Sequence, residues 1–223
     1  MQNPQRTTVR GPTFIRLLAR LADVDAPQSN PSLPDRLSQW LSWAHAIALS
    51  TALDGRPSVP APDAAPDDSA EDECARVRSS LINAIAGDRD LALPGQQGGE
   101  HAPEAVDYKV FRQRYLTRQR AMLAATGNLR GRLRDMLAQK SVDMARLAEV
   151  DAVMELALSP REQKLLAAVP VLLGEHFERL RQAGQAGGAW LDVFRTDMQS
   201  VLLAELDVRF QPVEGLLAAL RTS

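Results

Sequence analysis

Residues 104–181 are a near-unbroken run of helix-forming side chains, and no other feature restricts the possible folds as much. In its first half Tyr108, Phe111, Tyr115, Met122, Ala125, Leu129 and Met136 recur at the alternating three-and-four spacing that places them on one edge of a helix. Such an edge needs a covering partner, because each large apolar side chain taken out of water contributes about 1.5–3 kcal/mol. Aromatic residues make up only 4% of the chain against 45% hydrophobic residues overall, so the apolar content is mainly aliphatic. That mixture suits helix-on-helix packing better than strands, which favour aromatic and β-branched residues. The expected class is all-α: an elongated helical bundle with long amphipathic helices and an N-terminal helical hairpin, joined by disordered linkers.

Taken in order, Phe14, Leu17, Leu18 and Leu21 recur at helical spacing and predict a short helix ending near Val24. A turn over 25–31 leads to a second helix, with Ser32 as N-cap and Pro34 in the first turn, running to about Leu53. Its wide apolar face is Leu37, Trp40, Leu41, Ala44, Ile47 and Ala48. Two helices so closely connected predict an antiparallel hairpin over 1–54. Residues 55–103 read as flexible acidic and Gly/Pro-rich linkers, too poor in large apolar groups to offset the entropy of ordering, around one short helix at 71–86.

The long-helix bundle is expected over 104–223. Thr126-Gly127-Asn128 are weak helix formers and predict a break or bend. Ser159-Pro160-Arg161-Glu162 has the form of a capping box, and so predicts a new helix start. Pro170 predicts a kink within that helix, and Pro212 the start of a last one. The count is seven or eight helices and no strand.

The formal charge of −2 hides an asymmetry. Asp54, Asp63, Asp67, Asp68, Glu71, Asp72 and Glu73 crowd one stretch against Arg56 alone. Lys109, Arg112, Arg114, Arg118, Arg120, Arg130, Arg132, Arg134 and Lys140 crowd another, against Asp107 and Asp135. Cys74 is the only cysteine, which excludes an intrachain disulfide and gives no sign of an oxidising compartment. The polar N-terminus lacks the pattern of a secretory signal, and no apolar run is long enough to span a bilayer. A cytoplasmic location without direct membrane insertion is expected.

The segments Phe14-Ile15-Arg16-Leu17-Leu18-Ala19-Arg20-Leu21-Ala22 and Arg36-Leu37-Ser38-Gln39-Trp40-Leu41-Ser42-Trp43 resemble the start of an uncharacterised bacterial family of small helical proteins, a domain of unknown function. The likeness continues through 111–122, Val201-Leu202-Leu203-Ala204-Glu205-Leu206-Asp207 and Gln211-Pro212-Val213, covering most of the chain outside the linkers. The family has no assigned catalytic residues. Its genes sit beside those for a proton-channel-like membrane protein and a peptidoglycan-binding envelope protein. The resemblance therefore implies an envelope-associated accessory role.

No residue set has the pattern of an active site, and no cofactor, metal or catalytic residue is expected. His45, His101 and His176 are far apart, and Glu175-His176 lacks the paired Glu-x-x-His of a di-iron bundle because residue 173 is Leu. Gly95 to Gly99 has neither a preceding strand nor a nucleotide-site lysine, and there is no Gly-x-Ser-x-Gly elbow. What remains is contact. The candidate partner-binding residues are Tyr108, Phe111, Arg112, Tyr115, Arg118, Met122, Leu129 and Arg132, which would meet a protein partner or a second copy through helices. Arg118 and Arg132 fall on the stripe, where they would flank an acidic helix. Alternatively, the arginines of 107–140 and the interleaved aromatics would grip nucleic acid, or the acidic stretch would fold back and neutralise them.

Overall fold

The computed structural model describes residues 13–23, 33–55, 68–88, 106–184 and 189–222. Among these the chain forms eight helices and no strand: α1 (Thr13–Ala22), α2 (Leu33–Trp40), α3 (Trp43–Asp54), α4 (Asp68–Ala86), α5 (Tyr108–Lys140), α6 (Val142–Leu166), α7 (Val169–Ala183) and α8 (Ala189–Thr222). The two longest, of 33 and 34 residues, each extend for about 50 Å at 1.5 Å per residue. They run parallel to one another, since Phe111 meets Phe194 near one end while Arg132 and Arg221 reach Glu73 and Glu71 of the same helix near the other. One hydrophobic core joins α1, α4, α5, α6, α7 and α8. Its aromatic end is a nest of Phe111, Phe177 and Phe194, with Tyr108 and Trp190 beside them and ring centroids 5.0–6.2 Å apart.

Several helix boundaries differ from the sequence expectation, and each difference has a physical reason. α5 passes through Thr126-Gly127-Asn128 without a break. Glycine costs a helix about 1 kcal/mol relative to alanine. Burial of Met122, Thr126 and Leu129 on either side outweighs that, and the Thr126 hydroxyl donates to the Met122 carbonyl. Ser159-Pro160-Arg161-Glu162 does not begin a helix either: α6 runs through it, and the Glu162 carboxylate turns to Arg209 at 3.1 Å. Pro212 likewise lies inside α8. An interior proline costs about 3 kcal/mol, which burial of Phe210, Val213 and Leu216 around it offsets. Pro170, by contrast, sits in the first turn of α7 after the Ala167-Ala168 turn, where it displaces no intrahelical hydrogen bond.

The second expected helix is two. α2 stops at Trp40, and Ser42, extended at φ −73° and ψ 163°, caps α3. The Ser42 hydroxyl accepts from the His45 amide while the Ser42 amide donates to His45 Nδ1 at 3.4 Å, so His45 completes a reciprocal cap. Ser32 lies outside the described residues. The N-terminal hairpin is also replaced. α1 packs on α7 and α8, whereas α3 packs on α6, so neither takes the other as its main partner. α1 is held there by buried Phe14 and Leu21, by Arg20 on Asp197 at 2.8 Å, and by Arg179, which donates to the Leu21 carbonyl at the helix end. The short helix expected at 71–86 starts three residues earlier, at Asp68. Its flanking segments, 56–67 and 89–105, where flexible linkers are expected, lie outside the described residues.

Candidate functional site

The stripe on α5 is real, but its own chain covers it. Phe111, Tyr115, Met122 and Leu129 are buried, with Tyr115 and Met122 fully so, and the stripe goes on through Leu133 and Leu137. The covering elements are chiefly α8 and α6. The expectation that this edge awaits a partner is therefore corrected: a 33-residue amphipathic helix finds enough apolar surface in its own C-terminal half to close the seam. Tyr108 is half-buried, and its hydroxyl donates to the Pro170 carbonyl. Its ring lies against Gly174, where an added Cβ would meet it at 2.9 Å.

The arginines of the same helix are largely spoken for. Arg118 holds the buried Asp88, two residues past the end of α4, at 2.7 Å, and Arg132 pairs with Glu73 on α4, so the carboxylates at both positions come from the same chain. On the other side Arg130 and Arg134 clamp Asp151 and Glu155 of α6, at 2.7 Å between Arg130 and Asp151 and 2.5 Å between Arg134 and Glu155. Arg112 and Arg120 are exposed and enter no ion pair among the described residues.

Sequence reasoning missed a polar network in the middle of the α5–α8 seam. Glu205 is completely buried, and its carboxylate accepts from the Tyr115 hydroxyl at 2.5 Å, from Gln119 Nε2 at 3.3 Å and from Arg209 Nε at 2.9 Å. Arg209, also buried, reaches on to Glu162 of α6 at 3.1 Å, and Gln119 Nε2 donates to the Leu166 carbonyl at 3.2 Å. Burial, and then the neighbouring Glu205 carboxylate, push the Tyr115 hydroxyl well above the ordinary tyrosine range, so it remains a donor. The available signal was an opposite-charge pair one helical turn apart, Glu205 and Arg209, set among Val201, Leu202, Leu206 and Phe210. The cluster ties α5, α6 and α8 together, with Tyr115, Glu205 and Arg209 buried and the Glu162 carboxylate partly open to solvent.

Other titratable groups are tied up similarly. His176 Nε2 lies 2.9 Å from Asp197 Oδ2 and its ring packs near Phe194, so it is a seam residue between α7 and α8 rather than a helix-surface one. Burial, then the neighbouring Glu73, pushes the Cys74 thiol up, which disfavours the reactive thiolate. Among the described residues no three or more His, Cys, Asp or Glu side chains gather as a metal would need, and no helix is long and apolar enough to cross a membrane.

α3 carries an open apolar side, besides single exposed apolar residues on α6 and α7 such as Leu156, Leu165 and Val171. Eight of its twelve residues are apolar, and only Ala52 is buried, with His45 and Leu49 half-buried on the same side. On its outward side Trp43 is 82% exposed, and Ile47 and Leu53 are each 52% exposed.

No curated protein and no solved structure matches the chain. Residues 1–222 match the family described as a protein of unknown function, DUF3348, and the chain belongs to that family.

Proposed function

We propose that this DUF3348 chain is a non-enzymatic helical interaction protein, an accessory of an envelope or membrane-bound assembly, which meets a protein partner through the outer side of α3. One observation carries the reading: α3, eight of whose twelve residues are apolar, lies on the outside of the molecule with Trp43 82% exposed, whereas the stripe on α5 is closed. Trp43 and Ile47 sit one turn apart on that side and are the sort of anchors that dominate binding energy at interfaces. The envelope association rests on the gene neighbourhood that the family resemblance implies. The alternative, nucleic-acid binding by the arginine-rich helix over 107–140, has less support, because Arg118, Arg130, Arg132 and Arg134 already neutralise carboxylates of the same chain.

The test is a triple substitution, Trp43→Ser, Ile47→Ser and Leu53→Ser, in the full chain. Since all three side chains are largely exposed, thermal melting should change little, while a partner retained by the wild type from its native cell should be lost. Equal retention by both chains would remove α3 as the contact. Binding of a DNA or RNA duplex at low salt, lost on Arg112→Glu and Arg120→Glu, would favour the alternative instead.

A further inference from the structure

We propose that the groove between α5 and α8 is an exchange site for α4, and that a second copy of this chain can fill it with its own α4, giving a reciprocal dimer. α4 lies antiparallel to both of its neighbours. Its Glu73 pairs with Arg132 of α5 and its Glu71 with Arg221 of α8, and Asp88, two residues past its end, pairs with Arg118 of α5. In the reverse sense, its Arg78 reaches Asp207 at 2.6 Å and Glu214 at 2.5 Å, with the guanidinium over the Phe210 ring. The charge pattern is thus complementary over the first half of the helix and again just beyond its end, and it specifies both orientation and register.

The apolar part of the same contact is modest. Ala70, Cys74 and Ile85 are buried, Val77 and Leu81 only half so, and none carries a ring. An open groove of about 610 Å³ runs along the α4–α8 seam, floored by Cys74, Phe210, Val213 and Leu217. The α5–α8 seam beneath has no such opening at Tyr115 and Glu205, which are fully buried. α4 is therefore an element recognised by charge and lightly packed, seated on a surface that α5 and α8 build without it. Because its main contacts are with those two helices, a second copy's α4 offers the same set, and the exchanged dimer loses no pairing. The proposal narrows the interaction reading to self-association at a second surface. Its test leaves Trp43, Ile47 and Leu53 untouched, so either idea can fail alone.

The experiment uses two full-length chains. One carries Glu71→Lys and Glu73→Lys on α4; the other carries Arg132→Glu and Arg221→Glu in the groove. Within either chain the two pairs become repulsive, whereas between the chains both sets are attractive, in a reciprocal exchange. Mixed after brief denaturant treatment, they should form a one-to-one complex at twice the single-chain mass in native mass spectrometry. A chain carrying all four substitutions restores the pairs internally and serves as the folding control. If that control folds and the mixed pair stays at single-chain mass, or yields no folded complex on joint refolding, the exchange site is ruled out.

Discussion

At the scale of single residues, the buried cluster around Glu205 is where a small chemical change has the largest consequence. Tyr115→Phe removes one donor from a fully buried carboxylate and should lower unfolding stability by about 1–3 kcal/mol, the penalty for an under-satisfied buried polar group. Glu205→Gln should cost more, about 3–5 kcal/mol, because it removes the buried charge facing Arg209 and leaves only the partly exposed Glu162 opposite it. Urea unfolding of the two variants measures both, and a smaller loss for Glu205→Gln would contradict the pairing. The chain has only two tyrosines. Desolvation raises Tyr108 from 10.0 to about 12, and burial, then the Glu205 carboxylate, also pushes Tyr115 well above the ordinary tyrosine range. A tyrosine whose folded value is raised stabilises the fold fully below the unfolded value of 10.0 and loses that contribution as pH climbs through about 12. Tyrosinate absorbance should therefore lag the ordinary titration until the chain unfolds, and Tyr108→Phe should extend the alkaline limit of stability. Titration of both tyrosines near their ordinary value in the folded protein would show that they are exposed.

At the scale of elements, a seven-residue repeat on α5 picks out Phe111, Tyr115, Met122 and Leu129 and then steps to Met136. A straight helix drifts against that repeat, so the buried line continues at Thr126, Leu133 and Leu137 instead. Local helix breakers are overridden for a related reason. Gly127, Pro160 and Pro212 all lie inside helices whose flanking side chains are buried or ion-paired, and these tertiary contributions exceed the local penalties. Two of the helical glycines, Gly127 and Gly174, should accordingly respond in opposite ways to alanine. Gly127 has open space around its missing Cβ, so Gly127→Ala should stabilise by about 0.5–1 kcal/mol. Gly174 is pressed by the Tyr108 ring, so Gly174→Ala should destabilise by about 1–3 kcal/mol through overpacking. Melting temperatures moving the same way for both would contradict the close approach.

At the scale of the whole molecule, α1 and α4 share one core with α5 to α8 and are not separate modules hinged to them. Phe14→Ala, in the first helix, should thus remove about 3–5 kcal/mol from the entire transition rather than release a small domain. Tryptophan fluorescence and circular dichroism should still report a single midpoint; two separated transitions would restore the modular view. Hydrophobic periodicity determined that the chain is all-α, that its second half is built of amphipathic helices and which edge of α5 is apolar, because these depend on spacings within one segment, whereas the continuity of the helices through 126–128, Ser159 and Pro212 was set by tertiary burial. What covers that edge was decided only in three dimensions. A stripe specifies that it must be buried, yet carries no record of whether its partner is another chain or a helix about ninety residues further on. The same holds for the charges. The acidic stretch and the arginine-rich helix were plain in the sequence, but the pairing of Glu73 with Arg132, and of Glu205 with Tyr115, depends on helix order and crossing, which local composition does not encode.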